Sequence, residues 1–132
     1  QEFAARRVEK RYIALAHGIL TPTSGDIRYP LITDWERRPR QKICHEHGKT
    51  AHTSYQVLAR DGATTRVALI PHTGRSHQLR VHLAAIGHPI LGDEFYADEE
   101  PPAAPRLLLH AETLAVANLH GTLQRFHLAP AF

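Results

Sequence analysis

Two β-prone runs, Thr53 to Ala59 and Thr65 to Ile70, flank Arg60-Asp61-Gly62-Ala63, and this arrangement narrows the fold more than any other feature of the chain. Asp-Gly favours the tight turns that join antiparallel strands, because glycine reaches positive φ without a Cβ clash. A sheet built from hairpins is the expected framework. Arg11 to His17, RYIALAH, has the β-branched and aromatic content of a strand, closed by Gly18, Thr21-Pro22 and Ser24-Gly25, and an extended piece from Asp26 to Ile32 follows. Arg106 to Asn118 and Thr122 to Leu128 read as a second strand pair around His120-Gly121, after a proline-rich loop from Pro101 to Pro105.

One segment departs from that pattern. Ser76 has the side chain of an N-cap for a helix running through Ile86, with Gly87 and Pro89 ending it. Leu79, Leu83 and Ile86 lie at i, i+4 and i+7 and form one apolar stripe, and Arg80 stands about 100° around from Leu79 at its margin. Residues 1 to 9 read as the end of another helix, with Phe3 and Val8 as apolar points among charges. Residues 33 to 50 show neither period and carry Pro39 and Gly48, which predicts an irregular segment long enough to have a role. The sum is an α+β fold: a mixed, mainly antiparallel sheet with short helices.

At 132 residues, 42% hydrophobic and 22% charged, the chain fits a single globular domain and not the disordered or fibrous classes. No stretch approaches the roughly 20 apolar residues of a membrane helix, so no membrane partner is expected. A lone Cys44 cannot form an internal disulfide, which leaves a cytoplasmic monomer as the expectation. Sixteen Lys and Arg against thirteen Asp and Glu give a formal charge of +3, compatible with a polyanionic partner. The cations concentrate in Arg37 to Lys42, RRPRQK, and the acids gather between Asp93 and Glu100.

The richest constellation is Thr73-Gly74-Arg75-Ser76-His77-Gln78-Leu79-Arg80, where a turn feeds a helix N-terminus bearing two Arg, one His and one Gln. Free backbone N-H groups and the positive dipole end suit an anion there. An equally economical reading makes it a capped, solvated helix start whose arginines pair with surface carboxylates.

The pattern TGR-S-HQLRVH, then GHPILGD with Tyr96 three residues after Asp93, resembles the most diagnostic C-terminal motif of RluA-type RNA pseudouridine synthases. KRYIALAHG at Lys10 to Gly18 resembles that family's tyrosine motif, and RLLLHAETL at Arg106 to Leu114 its late core strand. The loop PLITDWERRPRQKIC resembles the branch that is not confined to ribosomal RNA. The resemblance implies isomerisation of selected uridines in large-subunit ribosomal RNA and the transfer RNA anticodon arm, without a cofactor or a metal. It carries the active-site tyrosine over to Tyr12 and the arginine that pairs with an essential aspartate over to Arg80. That aspartate belongs to a His-Arg-Leu-Asp motif that is absent here: Asp26, Asp34, Asp61, Asp93 and Asp98 all stand in other settings. The chain, which opens on QEFAARRVEK, is accordingly expected to be the C-terminal part of one catalytic domain, inactive alone.

Within that resemblance Arg75, His77 and Gln78 are expected to contact RNA, and Arg37, Arg38, Arg40 and Lys42, with the aromatic face of Trp35, to grip stem-loop phosphates. Charge runs are also commonly plain solvated surface. Cys44-His45-Glu46-His47 lacks a second ligand pair at zinc-finger spacing, so no metal is expected there, and His82, His88 and His110 are read as packing or hydrogen-bonding groups. Two rivals stand beside the enzyme: a non-catalytic RNA-binding module, and a hydrolase built on Asp93 and His88.

Overall fold

The computed structural model describes residues 7–98, 104–117, 123–127, 130 and 132. Strand β1, Arg7–His17, runs through the middle of the sheet, followed by the short strands β2, Ser24–Ile27, and β3, Leu31–Thr33. A 3-10 turn at Trp35–Arg37 leads to β4, Gln41–Ile43, and then to β5, Thr53–Asp61, and β6, Thr64–Pro71. Helix α1, Gln78–Ala85, precedes β7, Leu109–Ala117, and β8, Leu123–His127. Six strands pair in the order β2-β5-β6-β1-β7-β8, every neighbour antiparallel, while β3 and β4 form a separate hairpin.

The expected hairpin forms, but its loop is Gly62-Ala63, since Asp61 still pairs with Thr64. Gly62 takes the first loop position at φ 61°, the conformation that needs glycine. The helix begins later than Ser76: His77 is the N-cap residue, at φ 55°, and makes no side-chain cap bond. The reading of residues 1 to 9 as helix is corrected over 7–9, where Arg7, Val8 and Glu9 pair with Ala117, Val116 and Ala115; residues 1–6 lie outside the described part. The piece from Asp26 to Ile32 splits into β2 and β3, and part of the irregular segment is ordered as β4.

Helix α1 determines where the core sits. Its Leu79 and Leu83 bury against Ala14, Ala16, Val67 and Leu69 of the central strands, as the apolar stripe predicts. Val81, on the other side, packs with Leu31, Ala51, Ile43 and Tyr96. The helix is thus wedged between the sheet and the β3–β4 hairpin, and its first turn lies where the two meet. No helix among the described residues is long and apolar enough to cross a membrane.

Candidate functional site

A pocket of about 380 Å³ opens between the central strands and the start of α1. Lys10 and Tyr12 enter from β1, Leu109 from β7, Thr73, Gly74 and Arg75 from the turn after β6, and His77, Leu79 and Arg80 from α1 and its cap. Lys10 and Tyr12 share a strand face because side chains alternate. Beside them the register against β7 slips, Arg11 facing Thr113 and Tyr12 facing Ala111. The extra residue, Glu112, takes the Arg11 guanidinium in an ion pair. The bulge lies in β7, directly opposite the Arg11–Tyr12 step of β1. Tyr12 and Arg80, expected from two separate motifs, line the same pocket. Lys10 was not anticipated; its signal is the two-residue spacing from Tyr12.

Arg80 already holds one carboxylate of this chain. Its Nε and Nη2 donate to Oδ2 and Oδ1 of Asp93 at 3.0 and 2.7 Å, a bidentate pair with the Asp93 side chain fully buried. The hydrogen bond to Asp93 raises the Arg80 pKa further above its ordinary value. Asp93 Oδ1 also accepts the backbone N-H groups of Phe95 and Tyr96, which makes it the anchor of its turn. The Arg80 guanidinium lies over both rings, 5.1 Å from Phe95 and 5.3 Å from Tyr96, and Arg40 reaches the same Phe95 from the hairpin at 5.0 Å. Nη1 makes no hydrogen bond among the described residues.

The Tyr96 hydroxyl ties these parts together. Its oxygen accepts the Gln41 N-H from β4 at 2.9 Å, and it lies 2.6 Å from His77 Nδ1 at the start of α1. Burial pushes the Tyr96 pKa up and the His77 pKa down, so at neutral pH both are uncharged and the phenol can donate to Nδ1. Tyr96 was expected only as part of the family motif and Phe95 not at all, and neither was read as a site residue, although Gly-Asp just before them signals the turn that presents them.

Gln78, expected to contact RNA, is among the residues that line the pocket. Its side chain is buried, and its amide is spent on four protein partners: Thr73 Oγ1 and the Arg75 N-H donate to Oε1, while Nε2 donates to the His52 carbonyl and Thr53 Oγ1. It holds the turn in place and has no polar atom left for RNA. Thr53 passes the chain on to His82 Nδ1 at 2.9 Å, and His82 Nε2 donates to the Tyr29 carbonyl at 2.8 Å. Burial lowers the His82 pKa, consistent with a neutral ring in that network.

The basic segment divides. Arg40 joins the Phe95–Arg80 stack, whereas Trp35 is 67% exposed with Arg38 over its ring at 4.6 Å, and Arg37 and Lys42 are exposed on the same hairpin. Trp35, Arg37, Arg38 and Lys42 line neither the pocket nor a second depression of about 380 Å³ between the hairpin and the Gly74–Ser76 turn. Arg75 borders both depressions, and its Nε donates to the Thr50 carbonyl at 2.8 Å. The hydrolase pair does not converge: Asp93 is spent on Arg80 and its own turn, and His88 Nδ1 donates to the His17 carbonyl.

Residues 1–85 match the family model described as RNA pseudouridylate synthase. The dual-specificity RNA pseudouridine synthase RluA of Pasteurella multocida (strain Pm70) is 58% identical over 117 residues, covering 87% of this chain and 53% of that protein. Its namesakes from Haemophilus ducreyi and Escherichia coli (strain K12) are 51% and 54% identical, covering 100% and 89% of this chain and 62% and 55% of their own lengths. The chain therefore spans between about half and three-fifths of these relatives. Among solved structures, human RNA pseudouridylate synthase domain containing 1 superposes with a TM-score of 0.85 at 30% identity, over 96% of this chain and 56% of that one. With the sequence match over residues 1–85 and this superposition in agreement, the chain belongs to the RNA pseudouridylate synthase family.

Proposed function

We propose that this chain supplies the base-binding half of an RNA pseudouridine synthase active site. In the reaction the N1–C1′ bond of a uridine breaks and a C5–C1′ bond forms, with the C5 proton lost and N1 gaining one. The observation that supports the reading is the meeting of Tyr12 and Arg80 in one pocket. Tyr12 offers a ring on which an extruded uracil can stack, an interaction worth about 1 to 3 kcal/mol per base. Arg80, clamped by Asp93 through Nε and Nη2, keeps Nη1 for a catalytic carboxylate, which is assigned to a part of the intact protein that this chain does not contain. Lys10 and Arg75 carry the charge that meets phosphates beside the extruded nucleotide.

The motif resemblance implies ribosomal RNA and the transfer RNA anticodon arm as the two substrates of the intact protein, and the relatives' name, dual-specificity RNA pseudouridine synthase, agrees with there being two. The test is tritium release from RNA carrying 5-tritiated uridine. The intact protein is expected to turn over, Tyr12→Leu to lose at least about tenfold in kcat/KM, as a lost stack predicts, and the 132-residue chain to give no product. Turnover by the chain alone would overturn the assignment of the carboxylate; RNA binding without turnover by the intact protein would favour a non-catalytic binding module.

A further inference from the structure

Outside the pocket's catalytic pair, three side chains converge at the open end of the sheet. Asp26 stands on β2, His52 immediately before β5 and His72 immediately after β6. The ladder brings them together: Asp26 faces Ser54, Thr53 faces Pro71, and the His72 N-H donates to the His52 carbonyl at 2.9 Å. One ligand atom from each of the three lies within 4.8 Å of the other two. His52 Nε2 is 2.8 Å from Asp26 Oδ1, and the two imidazoles stack with centroids 4.1 Å apart and planes 20° apart. Ser54 Oγ donates to Asp26 Oδ1 at 2.7 Å and lies 2.7 Å from His72 Nε2, linking carboxylate and ring.

From this geometry we infer a site for a divalent transition ion of the Zn²⁺ class, with Asp26, His52 and His72 as its three protein ligands. Two imidazoles and a carboxylate suit zinc and its neighbours, whereas Mg²⁺ and Ca²⁺ prefer oxygen alone. Bonds of about 2.0 to 2.2 Å place tetrahedral ligand atoms about 3.3 Å apart, so the widest pair has to close by up to about 1.5 Å and one of the two stacked rings has to turn towards the ion. Asp26 and His72 are exposed and His52 half-buried, which leaves the side chains free to make that adjustment. Their backbones are fixed, since the His52 N-H donates to Thr73 Oγ1 and its carbonyl accepts from Gln78 Nε2. Ser54, holding Asp26, is an outer partner of the kind that orients metal ligands. Three protein ligands leave a fourth position open to water or an anionic oxygen. His72 also lines the pocket, so the ion would sit at its rim. The site stands on its own ligands and does not depend on the proposed reaction.

The test is titration of the purified protein with Co²⁺, read by the visible absorption of the bound ion, followed by displacement with Zn²⁺. One saturable equivalent is expected, released by Zn²⁺, with a rise in the thermal unfolding midpoint when Zn²⁺ is present. Asp26→Asn and His72→Ala should each weaken binding by at least about 100-fold, since removing even outer partners costs 10 to 100-fold. A His45→Ala/His47→Ala double variant should bind as before. Asp26→Asn changes one exposed atom and preserves the fold even if His72→Ala does not. The inference is overturned by an absence of saturable binding, or by binding that survives Asp26→Asn and disappears in the His45/His47 variant.

Discussion

Asp93 shows how one side chain can organise a site without entering it. Its carboxylate accepts from two backbone N-H groups and from both Nε and Nη2 of Arg80, so Asp93→Asn removes the charge while keeping the shape. Breaking a buried pair from one side costs several kcal/mol, and because Arg80 keeps an edge towards the pocket the expected loss is about 3 kcal/mol, at the low end of that range. Urea unfolding of the variant measures it; a loss below about 1 kcal/mol would mean the pair is as weak as a surface one. His82 gives a pH prediction. Its pKa is lowered in the folded chain by burial, and that of His77 likewise, so the unfolded chain takes up protons first as the pH falls. Stability should be flat above the ordinary histidine range and decline as the pH falls through it, levelling off only below the folded pKa values. Asp26, lowered chiefly by its hydrogen bond from His52, titrates well below that window. Urea unfolding of His82→Asn should show a shallower decline than the parent; equal slopes would exclude His82 as the source.

At the level of elements, two glycines separate conformational strain from collision. Gly62 sits at φ 61° with nothing within 4 Å of the point a Cβ would occupy, so Gly62→Ala should cost only the left-handed penalty of about 1 to 2 kcal/mol. Gly92 sits at φ 80°, and a Cβ there would stand 1.9 Å from the Arg106 carbonyl oxygen. Gly92→Ala should therefore cost more than twice as much as Gly62→Ala, and thermal unfolding of the two variants side by side checks the order. The hairpin that Gly62 closes was legible because turn and strands lie within one short window. So was the Leu79–Leu83 stripe, whose spacing belongs to α1 itself. Strand β1 from Arg7 to Glu9 was not, because what makes it a strand is pairing with Ala115 to Ala117, more than a hundred residues away. The β3–β4 hairpin was hidden for a related reason: each strand has three residues, and its attachment runs through the Lys49–Leu31 backbone pair and the Tyr96 hydroxyl on Gln41. The pocket's motif residues could be read from sequence. The Arg80–Asp93 clamp and the Asp26–His52–His72 group could not, because each exists only after separate elements meet.

Across the whole molecule, charge and pocket are arranged side by side. The β3–β4 hairpin carries Arg37, Arg38, Arg40 and Lys42 and packs on the helix whose first turn lines the pocket, so an RNA strand entering the pocket would pass the hairpin. Only Arg40 is tied to the site, through Phe95 and hence Arg80. The four cations should accordingly separate by experiment. Each phosphate contact steepens the dependence of log binding constant on log salt by about 0.7 for single-stranded RNA. Replacing Arg37, Arg38 and Lys42 together with Gln in the intact protein should flatten the slope by up to about 2 and leave the single-turnover rate at saturating RNA unchanged. Arg40→Gln should flatten it by less than about 1 but also slow that rate, because it removes one side of the stack that holds Phe95 against the Arg80 guanidinium. Filter binding across a salt series, paired with single-turnover tritium release, distinguishes the two. An unchanged slope in the triple variant would make those charges ordinary solvated surface, and an unchanged rate in Arg40→Gln would detach the hairpin from the chemistry.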